Sequence, residues 1–213
     1  MQITHLTQTL NPGPALTRLA PGAAKRKQPR RKVDFANLTY STEPIYGAQG
    51  TFRLKEGVYE GPVIPELPPP DNYESISLVA VAYGDVTGDG TEEAMVVLTQ
   101  STRGTAIIYF VYVFAIEKQQ PKLLWAFATG DRAQGGLRKV YSDQGDLVVE
   151  LYGEGARVDE EIYVNAPNGC CCPTAFTRTR YRWLSDHFGS HGKSEVLTVN
   201  DAGDLEMEIQ KPD

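Results

Sequence analysis

Histidine and cysteine are scarce here: 213 residues hold three of each, and the cysteines are consecutive at Cys170, Cys171 and Cys172. Catalysis by an activated nucleophile needs a positioned base, and no spacing of so few imidazoles justifies a Ser-His-Asp or Cys-His constellation. An odd cysteine count closes at most one intramolecular bridge, so no disulfide framework is expected. Long apolar runs are missing too. The longest uncharged one, Gly104 to Ile116, has 13 residues, against the roughly 20 that cross a bilayer as a helix. A transmembrane segment is therefore not expected. An export signal places about 7 to 15 apolar residues after its cationic stretch, whereas here the cationic cluster comes last. The mitochondrial alternative fails on composition, because residues 1–32 are rich in proline and contain no serine. A cytoplasmic protein, or one peripheral to a membrane complex, is the expectation.

Acid is absent from those same 32 residues. They contain Arg18, Lys25, Arg26, Lys27, Arg30, Arg31 and Lys32 and carry +7, while residues 33–213, with 14 basic and 27 acidic side chains, carry −13. Pro12, Pro14, Pro21 and Pro29, with Gly13 and Gly22, deny the segment a continuous helix or a central strand. Residues 1–32 therefore read as an extended basic arm with no core of its own. Its charge suits an acidic protein surface, an anionic membrane, phosphates, or the acidic body of its own chain.

What is abundant points to sheets. Twenty Gly, fourteen Pro and eleven Tyr, with β-branched residues in most apolar runs, favour strands and turns. Strands are expected over Val33–Ser41, Gly50–Tyr59, Ser75–Tyr83, Glu93–Thr99, Thr105–Glu117, Lys122–Ala128, Leu137–Tyr141, Leu147–Tyr152, Glu161–Val164 and Thr174–Leu184, with short runs near Val196 and Leu205. Gly61 to Asp71 holds five prolines and reads as a polyproline-like connector. In DLVVELYG, Leu147, Val149 and Leu151 share one face. AIIYFVYVFAI is apolar on both faces, as a strand covered on each side must be. The expected architecture is all-β: one mostly antiparallel sandwich or barrel-like domain over 33–213, preceded by the arm.

The most specific motif is Asp85-Val86-Thr87-Gly88-Asp89-Gly90-Thr91-Glu92-Glu93. Ca²⁺ takes about six to eight oxygens. Asp85, Thr87 and Asp89 stand at loop positions 1, 3 and 5, Gly90 permits the turn, and the Thr91 carbonyl and Glu93 complete a donor set. Val96 stands where an EF-hand carries a bidentate Glu, so no EF-hand is implied. The loop resembles the shorter DxDxDGxx(D/E) connection of FG-GAP and integrin-type β-propeller repeats, which implies Ca²⁺ as its ligand. A metal-free hairpin, with Asp side chains bonded to nearby amides, would have much the same sequence.

The cysteine cluster admits three readings: small residues buried in a turn, a vicinal redox-active disulfide, or a thiolate metal site. His187 and His191 complete a spacing like that of a zinc finger. The intervening Thr174–Leu184 is strand-like, however, and its eleven residues would carry the histidines about 36 Å away. In FTRTRYRW, Arg178, Arg180 and Arg182 share one face and Thr177, Thr179, Tyr181 and Trp183 the other. Such a stripe binds nucleic acid in other settings, but the acidic body repels phosphate. Glu150, Glu160 and Glu161 are instead expected as cross-strand partners. GDRAQGG, from Gly130 to Gly136, lacks the Lys-Ser/Thr ending of a phosphate cradle and reads as a turn.

Taken in order, YGDVTGDGTEEAMVVL, LLWAFATGDRAQGGLRKVY, LVVELYG and CCPTAFTRTRYRW resemble a bacterial family of uncharacterised β-rich proteins, usually exported. The resemblance covers roughly Val33 to Val196. It implies a fold and a loop rather than a reaction, and the basic arm stands where that family has a leader. The functional expectation is a non-catalytic accessory subunit that docks through its arm onto a larger assembly with an acidic or anionic surface. The alternatives are an enzyme or redox protein using Asp131 and Arg132 or Cys170 to Cys172, and a nucleic-acid binder acting through the arm.

Overall fold

Apolar residues on both faces of the Gly104–Ile116 run require a layer on each side. The computed structural model, which describes residues 33–45, 50–62, 73–101, 107–131, 135–159 and 173–199, contains both. The central sheet runs β3 (Val58–Pro62), β4 (Tyr73–Gly84), β5 (Glu93–Ser101), β6 (Ile107–Glu117) and β7 (Gln120–Ala128), every neighbour antiparallel. Its curl makes a half-barrel. A back sheet is built from β8 (Leu137–Asp143), β9 (Asp146–Tyr152) and β10 (Ala175–Trp183), with β11 (Phe188–Ser190) and β12 (Glu195–Thr198) sharing the far edge of β10. A small cap pairs β1 (Thr39–Ser41) with β2 (Thr51–Arg53). The all-β, antiparallel, sandwich-like reading is correct.

Alternation along β5 and β6 sorts the core into two layers. Met95, Val97, Val111 and Val113 face the back sheet and meet Leu147, Val149, Leu151, Tyr181 and Phe188. Ala94, Val96, Leu98, Phe110, Tyr112 and Phe114 face the cap and meet Phe35, Tyr40, Phe52 and Leu54. Each fully buried aliphatic or aromatic side chain contributes about 1.5–3 kcal/mol, so both layers are needed to hold the central strands. Two tyrosines carry a hydroxyl into the cap layer, and each finds a carbonyl: Tyr40 donates to Phe35 O at 2.7 Å and Tyr112 to Ser41 O at 2.7 Å. Burial pushes both phenols well above their ordinary pKa, so they remain neutral donors.

Two expected strands are corrected. Val33–Ser41 is not continuous: Asp34 accepts the Ala36 amide at 3.2 Å and the Asn37 side chain at 2.8 Å, winding Phe35–Asn37 into a 3₁₀ turn before β1. Gly50–Tyr59 breaks at Glu56 and Gly57, whose φ values of 53° and 85° close a tight turn between Lys55 and Val58. Its halves join different sheets. β3 extends through Gly61 and Pro62 into the expected connector, on the edge where a missing amide proton is tolerated. The expected strands at Glu161–Val164 and near Leu205 lie outside the described residues.

At Gly84 the end of β4 presses on β8: a Cβ there would stand 2.6 Å from Ser142 Cβ. Chemical denaturation of Gly84→Ala is expected to show a loss of about 1–3 kcal/mol from overpacking. The same substitution in a Ser142→Gly background should cost less than half of that. An equal loss in both backgrounds would place the cause elsewhere.

Candidate functional site

The Asp85–Glu93 loop joins β4 to β5 at the end of the central sheet. Val86, fully buried, anchors it in the core between the central and back sheets. Gly88 and Gly90 take φ values of 76° and 88°, which the loop's turns require. Asp85 accepts the Gly88 amide at 2.7 Å through one oxygen and the Gly90 amide at 2.9 Å through the other. Asp89 accepts the Thr91 amide at 2.6 Å. Glu93 reaches back to accept the amides of Val86 and Thr87 at 3.0 and 3.2 Å. The loop is thus tied by its own carboxylates. Among the described residues no three His, Cys, Asp or Glu side chains converge as a metal-binding group.

Charge in this loop is poorly compensated. Glu93 is only 2 % exposed. Burial raises its pKa and the Asp89 and Asp85 charges add to that, against the lowering pull of the two amides. Thr87 Oγ1 and Glu92 Oε2 are buried with no hydrogen-bond partner among the described residues. A set made of Asp85, Asp89, Glu93, the Thr87 hydroxyl and the Thr91 carbonyl is all oxygen, which suits a hard cation. The orphaned hydroxyl at the third loop position is an atom such an ion would satisfy, so the residues fit Ca²⁺ chemically.

The loop also walls an open cleft of about 520 Å³, lined on its side by Tyr83, Asp85 and Glu92 and on the other by Ser142 at the end of β8 and Gln144 and Gly145 of the β8–β9 turn. The sequence reading missed these turn residues. The signal was present in Asp143-Gln144-Gly145-Asp146, a turn sequence between two apolar runs, but nothing in it says that the turn meets the Asp85–Glu93 loop.

On the outer face of the back sheet, Arg178, Arg180 and Arg182 project together as the alternation of β10 requires, and all three pair within the sheet. Arg178 donates to Glu150 at 2.7 Å and Glu150, 1 % exposed, also takes Arg138. Arg180 reaches Asp143 at 2.7 Å and Asp146 at 3.1 Å. Arg182 reaches Asp146 at 2.9 Å. His191 Nδ1 lies 3.1 Å from the same carboxylate. Glu150 was anticipated as a partner, Asp143 and Asp146 were not, and Glu160 and Glu161 lie outside the described residues. Burial alone would raise the Asp146 pKa, yet hydrogen bonds from Arg182, His191 and Arg180 outweigh it and hold the carboxyl below its ordinary value.

The remaining candidates scatter. His187 sits beside Asp186 at 2.6 Å, in the β10–β11 turn. Asp131 accepts the Ile107 amide at 3.0 Å, and Gly130 N donates to Gly135 O at 3.0 Å. The arm cations Arg18, Lys25, Arg26, Lys27, Arg30, Arg31 and Lys32, the cluster Cys170, Cys171 and Cys172, and Arg132 lie outside the described residues. None of the family models, curated proteins or solved structures compared with the chain matches it. Among the described residues no helix is long and apolar enough to cross a membrane.

Because the folded-state pKa of Asp146 is depressed, the lattice contributes its stability above the ordinary carboxylate range near pH 4 and loses it as pH falls through the lowered value. Asp146→Asn is expected to cost about 1.5–3 kcal/mol at pH 7. The gap to wild type in a denaturant titration should narrow as the pH is taken below about 4. A gap of constant size across that range would remove the ionic account.

Proposed function

We propose that this chain is a non-catalytic interaction subunit: an acidic β body fastened through its basic N-terminal arm to an acidic protein surface or anionic membrane of a larger assembly. The observation that carries this reading is the segregation of charge, +7 in residues 1–32 against −13 in the rest. The structure adds support on the body side. Arg138, Arg157, Arg178, Arg180 and Arg182 each pair with a carboxylate of the body itself, which takes those five cations out of competition for an acidic partner. A nucleic-acid backbone is the poorer fit, because the body that accompanies the arm repels it.

The test keeps the chain whole. With Lys25, Arg26, Lys27, Arg30, Arg31 and Lys32 all changed to Gln, retention on vesicles containing phosphatidylserine and on immobilised poly-glutamate should fall at least about tenfold at low salt. Wild-type retention should weaken steeply as salt rises. Equal retention by both proteins would refute the arm as the docking element.

We further propose Ca²⁺ as the ligand of the Asp85–Glu93 loop, with Asp85, Thr87, Asp89, the Thr91 carbonyl and Glu93 as donors. The resemblance to FG-GAP loops and the orphaned Thr87 hydroxyl support it. An ion bound to the folded state alone raises stability by mass action, about 2.7 kcal/mol at a hundred times its Kd. Millimolar Ca²⁺ added to chelator-treated protein is therefore expected to raise the Tm by several degrees, and Asp89→Ala to abolish the rise. An unchanged Tm in the wild type would count against the ion.

A further inference from the structure

We propose that the β8–β9 turn with its flanking strand ends, Ser142 to Asp146, is a relay that couples the order of the Asp85–Glu93 loop to that of the β10–β11 hairpin. On one side the contact with the loop is backbone on backbone. A Cβ at Gly145, whose φ is 81°, would stand 3.0 Å from Gly88 Cα, and one at Gly84 would run into Ser142. No flexible side chain lies between Gly88 and Gly145 to absorb a displacement, so a shift of the loop backbone at Gly88 is passed to the turn.

The other side of the turn is ionic. Asp143 and Asp146, paired with each other across the turn, are the residues next to Gln144 and Gly145. Asp143 holds Arg180 through its carboxylate and, at 2.7 Å, through its carbonyl. Asp146 holds Arg180, Arg182 and His191. These three side chains belong to β10 and to the residue that follows β11, and they tie the hairpin to β9 from its outer face. The same four-residue span, Asp143 to Asp146, thus carries the loop's glycine contact and the hairpin's anchoring carboxylates. Its neighbours cannot reorganise independently, and the coupling must be reciprocal. The inference concerns the fold and holds whether or not the loop takes Ca²⁺ or the arm docks.

Amide hydrogen exchange on the full chain tests it, read at Gly88 and Gly90 for the loop and at His191, whose amide donates to Arg180 O, for the hairpin. Arg182→Gln, at a side chain 48 % exposed, is a mild release of the hairpin. It is expected to raise exchange at Gly88 and Gly90 about tenfold, a usual size for coupling between sites. Asp85→Asn, made on the loop, should raise exchange at His191 by a comparable factor, while Glu117→Gln, at an exposed ion pair, should move neither. Changes confined to the mutated side overturn the relay. So does a uniform rise that includes the central amides of β5 and β6, since that is global destabilisation rather than coupling.

Discussion

The strands β5 and β6 have no polar face, and the rest of the molecule is arranged around that constraint. A strand whose apolar residues point to both faces is stable only if both faces of its sheet are dry. The chain meets the requirement with unequal layers. The back sheet covers one face by interdigitating Leu147, Val149 and Leu151 with Met95, Val97 and Val113. Among the described residues the other face is closed by a 3₁₀ turn, two three-residue strands and the adjoining Ile45 and Leu54. That thin cap is possible because it is aromatic: Phe35, Tyr40 and Phe52 cover more area per residue than aliphatics do. Tyr40 packs edge-on against Tyr112 at 5.0 Å between ring centres. The hydroxyls of both rings then bond the cap's backbone, so the residues that fill the layer also fasten it.

The same dryness makes buried carboxylates expensive, and the body treats two of them in opposite ways. Asp146 is surrounded by Arg180, Arg182 and His191, and its charge is stabilised beyond what burial costs. Glu93 is answered by two amides while Asp85 and Asp89 stand close by, and its charge is disfavoured. An ion pair lattice already satisfies the first site. The second has surplus negative potential and an unbonded hydroxyl, which is the physical reason to propose a cation at the loop and none at the lattice.

Period-two patterning made the sheets legible. DLVVELYG, AIIYFVYVFAI and FTRTRYRW each disclosed which residues share a face, because that follows from alternation alone. It also made Glu150 readable as a partner of the arginine stripe, since a cross-strand neighbour is set by local pairing. What stayed hidden depends on distant register. Nothing near Gly145 in the sequence says that it touches Gly88, 57 positions away. Asp146 reads as a turn residue until β10 is laid beside β9 with Tyr181 opposite Leu147. The misread N-terminal strands fail for a local reason: side-chain caps and positive-φ turns override strand propensity at Asp34 and at Glu56-Gly57. The loop's residues were legible as a donor set, whereas their use as amide acceptors needed coordinates.

Charge segregation and internal pairing together bear on how a docking arm would work. Attraction between exposed charges fades over a Debye length of about 8 Å at physiological ionic strength. A body of −13 would cancel the arm's +7 for any partner that touched both at once. The arm avoids this only by meeting its partner at a distance from the body, and 32 residues have a contour of up to about 110 Å. The proposed tether therefore requires that the body's acidic surface face away from the docked partner. By the same reasoning, the arginine stripe has to be neutralised within the back sheet. An exposed cationic face on the body would offer the partner a second docking mode that carries the repulsive surface along with it.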